Sequence, residues 1–214
     1  MVVDSVRHTP TLVGVRHTPI EEAPVRLDTG STVRPRSLTA VTDGAPVPVP
    51  DPERLVHLQF RRFAGCPVCH LHLRSVVRRH AEIEAAGIRE VVVFHSGADE
   101  LREHVADLPF AVVADPAKRL YAEFGVESSP RSLLDPRAWW PVLRAVAVGT
   151  AEMLRGRQKA PARTQDNGRL GLPADFLLAP DGTVLARSYG RHVDDQWPVD
   201  KLLTLARRAR TVRA

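Results

Sequence analysis

The chain has 214 residues, of which 43% are hydrophobic and 26% are charged, and its formal net charge is +5. This composition is typical of one soluble globular domain with additions. No apolar stretch approaches the roughly 18 residues that would predict a membrane span. Residues 1–4 lack the charged-then-apolar pattern of a signal peptide, so we expect a cytoplasmic protein with no membrane role. The arginines are dispersed and only 5% of the residues are aromatic, which argues against nucleic-acid binding.

The first 50 residues predict two segments ahead of the main domain. Residues 1–25 carry a direct repeat, Val-Arg-His-Thr-Pro, without apolar periodicity, and we interpret them as a flexible extension on which folding does not depend. Within residues 26–50, apolar and polar side chains alternate around Asp43-Gly44, a turn signal that predicts a β-hairpin. The main domain is therefore expected to span residues 51–214.

From residue 51 onward, strand-like and helix-like patterns alternate. In chain order they predict strand 55–63, helix 67–86, strand 90–95, helix 99–107, strand 110–114, helix 116–124, two strands within 175–186 and a last helix over 195–210. This alternation indicates an α/β fold in which helices flank a central sheet with parallel strands.

An insertion at about residues 128–169 interrupts this order and is too long for a plain connection. Its first part, 136–157, predicts an amphipathic helix that carries Trp139 and Trp140. Such a helix can cap the site, select the substrate or form a homodimer interface, and simple packing over the sheet is the alternative.

The only two cysteines, Cys66 and Cys69, lie three apart where a predicted strand meets a predicted helix. Pro67 suits the first helical position, which makes Cys66 the N-cap residue. A thiolate there is stabilised by backbone N–H groups and by the helix dipole. Three arginines add positive charge nearby: Arg61, Arg62 and Arg74. We therefore predict that Cys66 is the nucleophile and Cys69 the resolving thiol.

Two other readings of the cysteine pair stay open. The pair can bind zinc with neighbouring histidines, although no second ligand cluster follows in the sequence. The two thiols can also be inert core residues. In a reducing cytosol a structural disulfide is disfavoured, so the pair indicates redox catalysis before either alternative.

His95 ends the predicted strand 90–95, a parallel neighbour of the strand before Cys66. The carboxyl ends of parallel strands share one edge of the sheet, so His95 is expected near Cys66. A histidine there can relay a proton during thiol chemistry. The alternative is a strand-end histidine bonded to the backbone.

The order of strand, C-x-x-C, helix, strand, helix, hairpin and final helix is similar to thioredoxin-like folds over about residues 51–126 and 170–210. In that fold a cis-proline opens the hairpin strand and faces the dithiol. The resemblance therefore implies a cis Leu172–Pro173 bond and places Pro173 in the site.

Segments 60–69, 91–95 and 115–121 more closely resemble the peroxiredoxin-like branch of the alkyl hydroperoxide reductase and thiol-specific antioxidant (AhpC/TSA) superfamily. That resemblance implies an antioxidant thiol oxidoreductase. Peroxiredoxins carry a proline and a threonine or serine where this chain has Gln59 and Phe63, and Pro173 falls where their distant arginine would lie. These departures favour disulfide exchange, unless Arg61 or Arg62 supplies the missing charge.

We therefore expect a Cys66–Cys69 dithiol cycle that reduces peroxides or disulfides, supported by Pro67, Arg62 and His95. An external thiol donor, a thioredoxin or a low-molecular-weight thiol, would restore the dithiol, and neither an organic cofactor nor a metal is required. The alternative function is a non-enzymatic binding module that uses Trp139 and Trp140.

Overall fold

A computed structural model describes residues 26–126, 135–156, 159, 168 and 171–213. The predicted extension at residues 1–25 and the ends of the predicted insertion lie outside these ranges. The strands are β1 (Arg36–Thr39), β2 (Pro46–Val49), β3 (Leu55–Arg61), β4 (Ile88–Phe94), β5 (Ala111–Ala114), β6 (Ala174–Leu178) and β7 (Val184–Tyr189). The helices are α1 (Pro67–Arg78), α2 (His80–Ala85), α3 (Ala98–Val105), α4 (Arg119–Glu123), α5 (Pro136–Leu154) and α6 (Val199–Arg213).

Five strands form one mixed sheet in the order β5-β4-β3-β6-β7. The three strands β3, β4 and β5 are parallel, whereas β6 and β7 run antiparallel as a hairpin on the other side of β3. The central strand β3 is buried along its whole length, as its Leu, Val and Phe content predicts. The predicted α/β architecture of a mixed sheet flanked by helices is confirmed.

The strands β1 and β2 form a separate two-stranded hairpin, as predicted. Asp43 accepts a hydrogen bond from the backbone N–H of Ala45 at 3.0 Å, and Gly44 has φ +71°, so the Asp-Gly pair makes the turn. The hairpin attaches to the main sheet because Val41 N–H donates to the carbonyl of Val112 at 2.8 Å.

The helix that follows the dithiol is shorter than predicted. The pattern predicts one helix over 67–86, whereas Arg79 leaves helical geometry at φ −116° and separates α1 from α2. Arg79 pairs with Glu82 at 2.8 Å and with Asp200 of α6 at 2.6 Å. The break between α1 and α2 thus contains no glycine or proline that would predict it, and it is accompanied by a tertiary contact with α6.

The predicted cis bond before Pro173 is wrong. Leu172–Pro173 is trans, and in the described part of the chain the cis X-Pro bond is Val49–Pro50. The Pro173 carbonyl accepts the N–H of Gly190 at 2.8 Å, and the next residue, Ala174, already pairs with Phe60 in the sheet. A trans bond therefore continues the hairpin ladder from its first residue, in line with the general preference of proline.

The insertion forms α5, which packs against α1. Its small residues Ala138, Ala145 and Gly149 face inward and are buried, so the two helix backbones approach closely. The opposite face exposes Trp139 at 60% and Trp140 at 76%. None of the helices in the described ranges is both long and apolar enough to cross a bilayer.

Candidate active site

Cys66 caps the N-terminus of α1, and Pro67 holds the first helical position. The approach to the helix is a tight turn: Gly65 has φ +71°, and Cys66 N–H donates to the carbonyl of Phe63 at 3.2 Å. Cys69 follows one turn into the helix. Both thiols are reduced and buried, with exposed fractions of 2% for Cys66 and 1% for Cys69.

The surroundings give the two thiols opposite acidities. Hydrogen bonding from the Cys69 thiol, the charge of Arg62 and the N–H groups of Cys69 and Val68 lower the pKa of Cys66 to about 6, against the effect of burial. The pKa of Cys69 is raised, because its proton is held by the Cys66 sulfur and because the site is buried. At neutral pH Cys66 is therefore a thiolate and Cys69 a thiol, which are the states expected of a nucleophile and a resolving thiol.

Arg62 is the cation that contacts the thiolate. Its Nη1 donates to the Cys66 sulfur at 3.8 Å, and its guanidinium lies 5.3 Å from the centre of the Phe63 ring. The carbonyl of Arg62 accepts the N–H of His95 at 3.2 Å, which fixes the loop to the end of β4. A buried positive charge is thus aimed at the reacting sulfur.

His95 lies in the same edge of the sheet, as expected, and its side chain packs edge-on against Tyr121 with ring centres 5.8 Å apart. Burial and the charges of Lys118 and Arg62 lower the pKa of His95 to about 4. The imidazole is therefore neutral at physiological pH. A Cβ added to Gly171 would lie 3.2 Å from His95 Nε2 and 3.6 Å from the Arg62 side chain, so the entry to β6 closes over both residues.

A small cavity of about 40 Å³ opens onto both sulfurs. Apolar side chains form most of its wall, among them Phe63, Leu73 and Phe94. Because one water needs about 10–15 Å³ on this kind of measure, the cavity admits only a few heavy atoms at a time. Pro173 is not part of its wall.

Arg61 is not the arginine that interacts with the Cys66 thiolate. Its side chain lies on the face of the sheet that α1 covers. There it belongs to a group of five residues, none of which exposes more than 1% of its surface. We call this group the polar cluster: His57, Gln59, Arg61, Glu90 and Asp175.

The polar cluster is held together by ion pairs and hydrogen bonds across three strands. Arg61 donates to Asp175 at 2.7 Å and also to Gln59, and Gln59 donates to Glu90. His57 bridges the two carboxylates, with Nδ1 2.9 Å from Glu90 and Nε2 3.2 Å from Asp175. Two cations thereby face two anions, which compensates their burial.

The polar cluster also contacts the elements that cover it. Arg61 Nη2 lies 3.2 Å from His72 Nε2 on α1, and the Asp175 carboxylate accepts the backbone N–H of Trp197 at 3.2 Å. Burial and the charge of Arg61 lower the pKa of His72, so its Nε2 is available as an acceptor. The cluster thus joins the sheet to α1, the helix that carries the dithiol.

The protonation of His57 predicts a pH dependence of stability. Although burial opposes the charge, Glu90 and Asp175 raise the pKa of His57 to about 9, above its value in an unfolded chain. The stabilisation is complete below pH 6.5 and is lost as the pH rises through 9, a change on the order of 3 kcal/mol. The lowered pKa of Cys66 acts in the opposite direction over the same range, so the effect must be measured in Cys66→Ser.

We expect the free energy of unfolding of Cys66→Ser, from urea titrations at pH 6 to 9.5, to fall as the pH rises. In Cys66→Ser/His57→Gln the free energy of unfolding should fall less steeply with pH, and the difference in slope should correspond to about one proton. Equal slopes in the two proteins would contradict a protonated His57.

Of the residues selected from the sequence, the structure brings Cys66, Cys69, Pro67 and Arg62 together, and it places His95 beside Arg62. Pro173 directly precedes β6 and lies against Gly190, and it does not line the dithiol cavity. The histidines near the dithiol do not complete a metal site: the described residues contain no group of three or more His, Cys, Asp and Glu side chains arranged to hold an ion.

The polar cluster was not predicted. Its only local signal is the alternation of polar residues at 57, 59 and 61 within an otherwise apolar strand. The carboxylates of Glu90 and Asp175 lie 33 and 118 residues from His57 in sequence.

A family profile matches part of the chain. The profile of the family described as AhpC/TSA antioxidant enzyme matches residues 75–192, just over half of the chain. The matched segment begins within α1, after the dithiol, and ends after β7. No curated protein matches the chain in sequence.

Several solved structures are similar in fold. Peroxidoxin BcpB from Mycobacterium tuberculosis is 18% identical, with a TM-score of 0.60 over 86% of this chain and 98% of that chain. A putative thiol:disulfide interchange protein DsbE from Chlorobium tepidum is 18% identical, with a TM-score of 0.53 over 84% and 99%. A cysteine-to-serine mutant of peroxiredoxin 6 from Arenicola marina is 12% identical, with a TM-score of 0.62 over 87% and 75%. These likenesses confirm the predicted thioredoxin-like fold.

Proposed function

Because this chain belongs to the AhpC/TSA antioxidant enzyme family, we propose that it is a thiol oxidoreductase in which Cys66 and Cys69 reduce small peroxides. Family membership supports a thiol-based redox function, and the peroxide is the finer part of the proposal. The observation that carries it is the buried Cys66 thiolate, 3.8 Å from the Arg62 guanidinium at the end of a small cavity.

The proposed reaction uses groups already in place. The Cys66 thiolate attacks one peroxide oxygen, the O–O bond breaks, and Cys66 becomes a sulfenic acid. The departing oxygen carries negative charge in the transition state, and the adjacent Arg62 stabilises that charge. The Cys69 thiol then attacks the Cys66 sulfur, water leaves, and a disulfide forms. Two equivalents of an external thiol reduce the disulfide.

Two features favour a small peroxide over a protein disulfide. Cys66 exposes only 2% of its surface, so the sulfur of a large partner cannot reach it without local opening. Leu172–Pro173 is trans, and Pro173 does not line the cavity, which removes the feature that favoured an extended peptide beside the dithiol. Disulfide exchange remains the reaction to compare, since Cys66 at a helix N-terminus also suits it.

The test is a single turnover of the fully reduced protein with one equivalent of hydrogen peroxide. We expect loss of two thiols without added oxygen mass, no reaction in Cys66→Ser and a trappable sulfenic acid in Cys69→Ser. Thiol titration and intact mass follow the reaction. Oxidation no faster than that of free cysteine, together with rapid exchange with a protein disulfide, would assign the site to disulfide exchange.

The pKa of Cys66 sets the pH dependence of this step. Only the thiolate attacks, so the rate constant with peroxide should rise with pH, reach half its plateau near pH 6 and stay constant to pH 8. Stopped-flow rates and the thiolate absorbance near 240 nm should give the same midpoint. A midpoint above pH 8 would show that the site does not stabilise the thiolate.

The exposed indoles leave a second function to test. Trp139 and Trp140 expose 60% and 76% of their surfaces on α5, which suits a binding module or a homodimer contact. A binding module would keep its binding in Cys66→Ser and lose it in Trp139→Ser/Trp140→Ser. An enzyme would lose its redox activity in Cys66→Ser and keep it in the double tryptophan variant.

A further inference from the structure

A second, larger cleft lies beside the dithiol cavity. It encloses about 450 Å³ between α1, the end of α3 and the end of α5, within the 300–1,000 Å³ range usual for small-molecule sites. Its wall is mixed: Val77, Ala106 and Leu108 are apolar, and charged side chains stand between them.

The cleft and the dithiol cavity share one boundary. Four residues line both of them: His70, Arg74, His104 and Leu108. The boundary residue His70 follows Cys69 directly on α1. A molecule held in the cleft is therefore next to the cavity that opens onto the sulfurs, and a short sulfur-bearing arm fits the 40 Å³ of that cavity.

The cleft carries two charges of opposite sign that are available for a ligand. Arg74 pairs with Glu152 at 3.3 Å and Lys159 pairs with Glu103 at 3.3 Å. Arg78 and Asp107 also line the cleft, both are exposed, and neither forms an ion pair with another residue in the described ranges. Within the described part of the chain, one guanidinium and one carboxylate without an ion-pair partner thus border the same space.

We propose that this cleft binds the reductant of the dithiol, and that the reductant is a zwitterionic low-molecular-weight thiol. Its carboxylate meets Arg78, its ammonium meets Asp107, and its thiol enters the cavity at Cys69. This inference rests on the proposed dithiol cycle, and it assigns the electron donor. A protein donor would meet the same obstacle as a protein substrate, because neither cysteine exposes more than 2% of its surface.

The reduction balances with two molecules of donor. The donor thiolate attacks the Cys69 sulfur, the Cys66–Cys69 bond breaks, and Cys66 leaves as the thiolate, which is the better leaving group because its pKa is the lower of the two. A second donor thiolate attacks the donor sulfur of the mixed disulfide. The donor disulfide leaves and Cys69 takes up a proton, so two thiols are oxidised and one disulfide is reduced.

The test starts from protein oxidised with diamide, so that it does not depend on peroxide chemistry. Reduction is followed by stopped flow with four thiols: cysteine, 2-mercaptoethanol, mercaptoacetate and cysteamine, each compared at equal thiolate concentration. We expect saturation only with cysteine, and second-order kinetics with the other three. Arg78→Gln and Asp107→Asn should each lower kcat/KM for cysteine by about 10-fold without changing the rate with 2-mercaptoethanol. The control is Arg208→Gln, which removes an exposed arginine from α6 and should behave like the unmodified protein.

Binding provides a readout without any redox step. S-Methylcysteine keeps both charges but cannot reduce a disulfide, and its addition should shift the imidazole NMR signals of His70 and His104 in the unmodified protein and not in Arg78→Gln/Asp107→Asn. No shift, or equal second-order rates for all four thiols, would overturn the cleft proposal even where peroxide oxidises Cys66. Slow peroxide oxidation together with saturation by cysteine would instead overturn the peroxide proposal and leave the cleft assignment standing.

Discussion

Arg62→Met is expected to slow the reaction of Cys66 with hydrogen peroxide at pH 7 by about 100-fold, the usual cost of removing one charge-stabilising donor. Arg62 acts twice in the proposed step. It lowers the pKa of the Cys66 thiol, so its loss reduces the fraction of thiolate. It also faces the charge that develops on the departing oxygen, so its loss slows the thiolate that remains.

The two contributions separate when rates are measured by stopped flow from pH 6 to pH 9.5. The part of the rate loss that disappears at high pH comes from the smaller fraction of thiolate. The part that persists comes from weaker stabilisation of the transition state. Arg89→Met is the matched control, because Arg89 is a partly buried arginine of β4 that pairs with Asp51 at 2.9 Å, at the end of the strand away from the dithiol. Equal rates in Arg62→Met and Arg89→Met would contradict a role for Arg62.

Arg61→Met should destabilise the fold by about 3–5 kcal/mol, because it leaves Asp175 buried with one cation fewer. Arg61 is fully buried, and besides Asp175 it donates to the carbonyl of Phe60 at 3.1 Å and lies 3.2 Å from His72 Nε2. The free energy of unfolding from urea titration measures the loss.

Neutralising the partner should recover part of that loss. Arg61→Met/Asp175→Asn restores the balance of one cation, His57, against one anion, Glu90. The double variant should therefore be more stable than the sum of the two single effects predicts, by about 0.5–3 kcal/mol. Strict additivity would mean that Arg61 stabilises the fold by packing alone and not through its charge.

The sequence was enough to predict the fold and the location of the dithiol because both depend on local patterns. Apolar strands alternate with amphipathic helices, and Cys66 and Pro67 at a strand-to-helix boundary define an N-cap without knowledge of any distant residue. Arg61, Arg62 and Arg74 were the candidates for the charge beside the thiolate, and Arg62 was selected as the supporting residue. Arg61 is the last residue of β3 and its side chain enters the polar cluster, whereas Arg62 lies in the turn after the strand and its side chain contacts Cys66.

Features that depend on distant partners were not predictable. The polar face of β3 resembles a solvated strand face in sequence, and only the arrival of Glu90 and Asp175 from other strands makes it a buried one. The helix break at Arg79 likewise coincides with an ion pair to Asp200, which lies 121 residues away. The cis bond expected at Pro173 came from the resemblance and not from a local pattern, and the observed trans bond agrees with the general preference of proline.

Trp197 provides an optical signal from the polar cluster. Its indole is stacked on the His57 ring, with centres 5.7 Å apart and planes 10° from parallel, and only 3% of the residue is exposed. The other two indoles, Trp139 and Trp140, are open to aqueous quenchers. Iodide should therefore suppress the emission of α5 and leave that of Trp197, whose intensity then reports whether the imidazole beside it carries its proton.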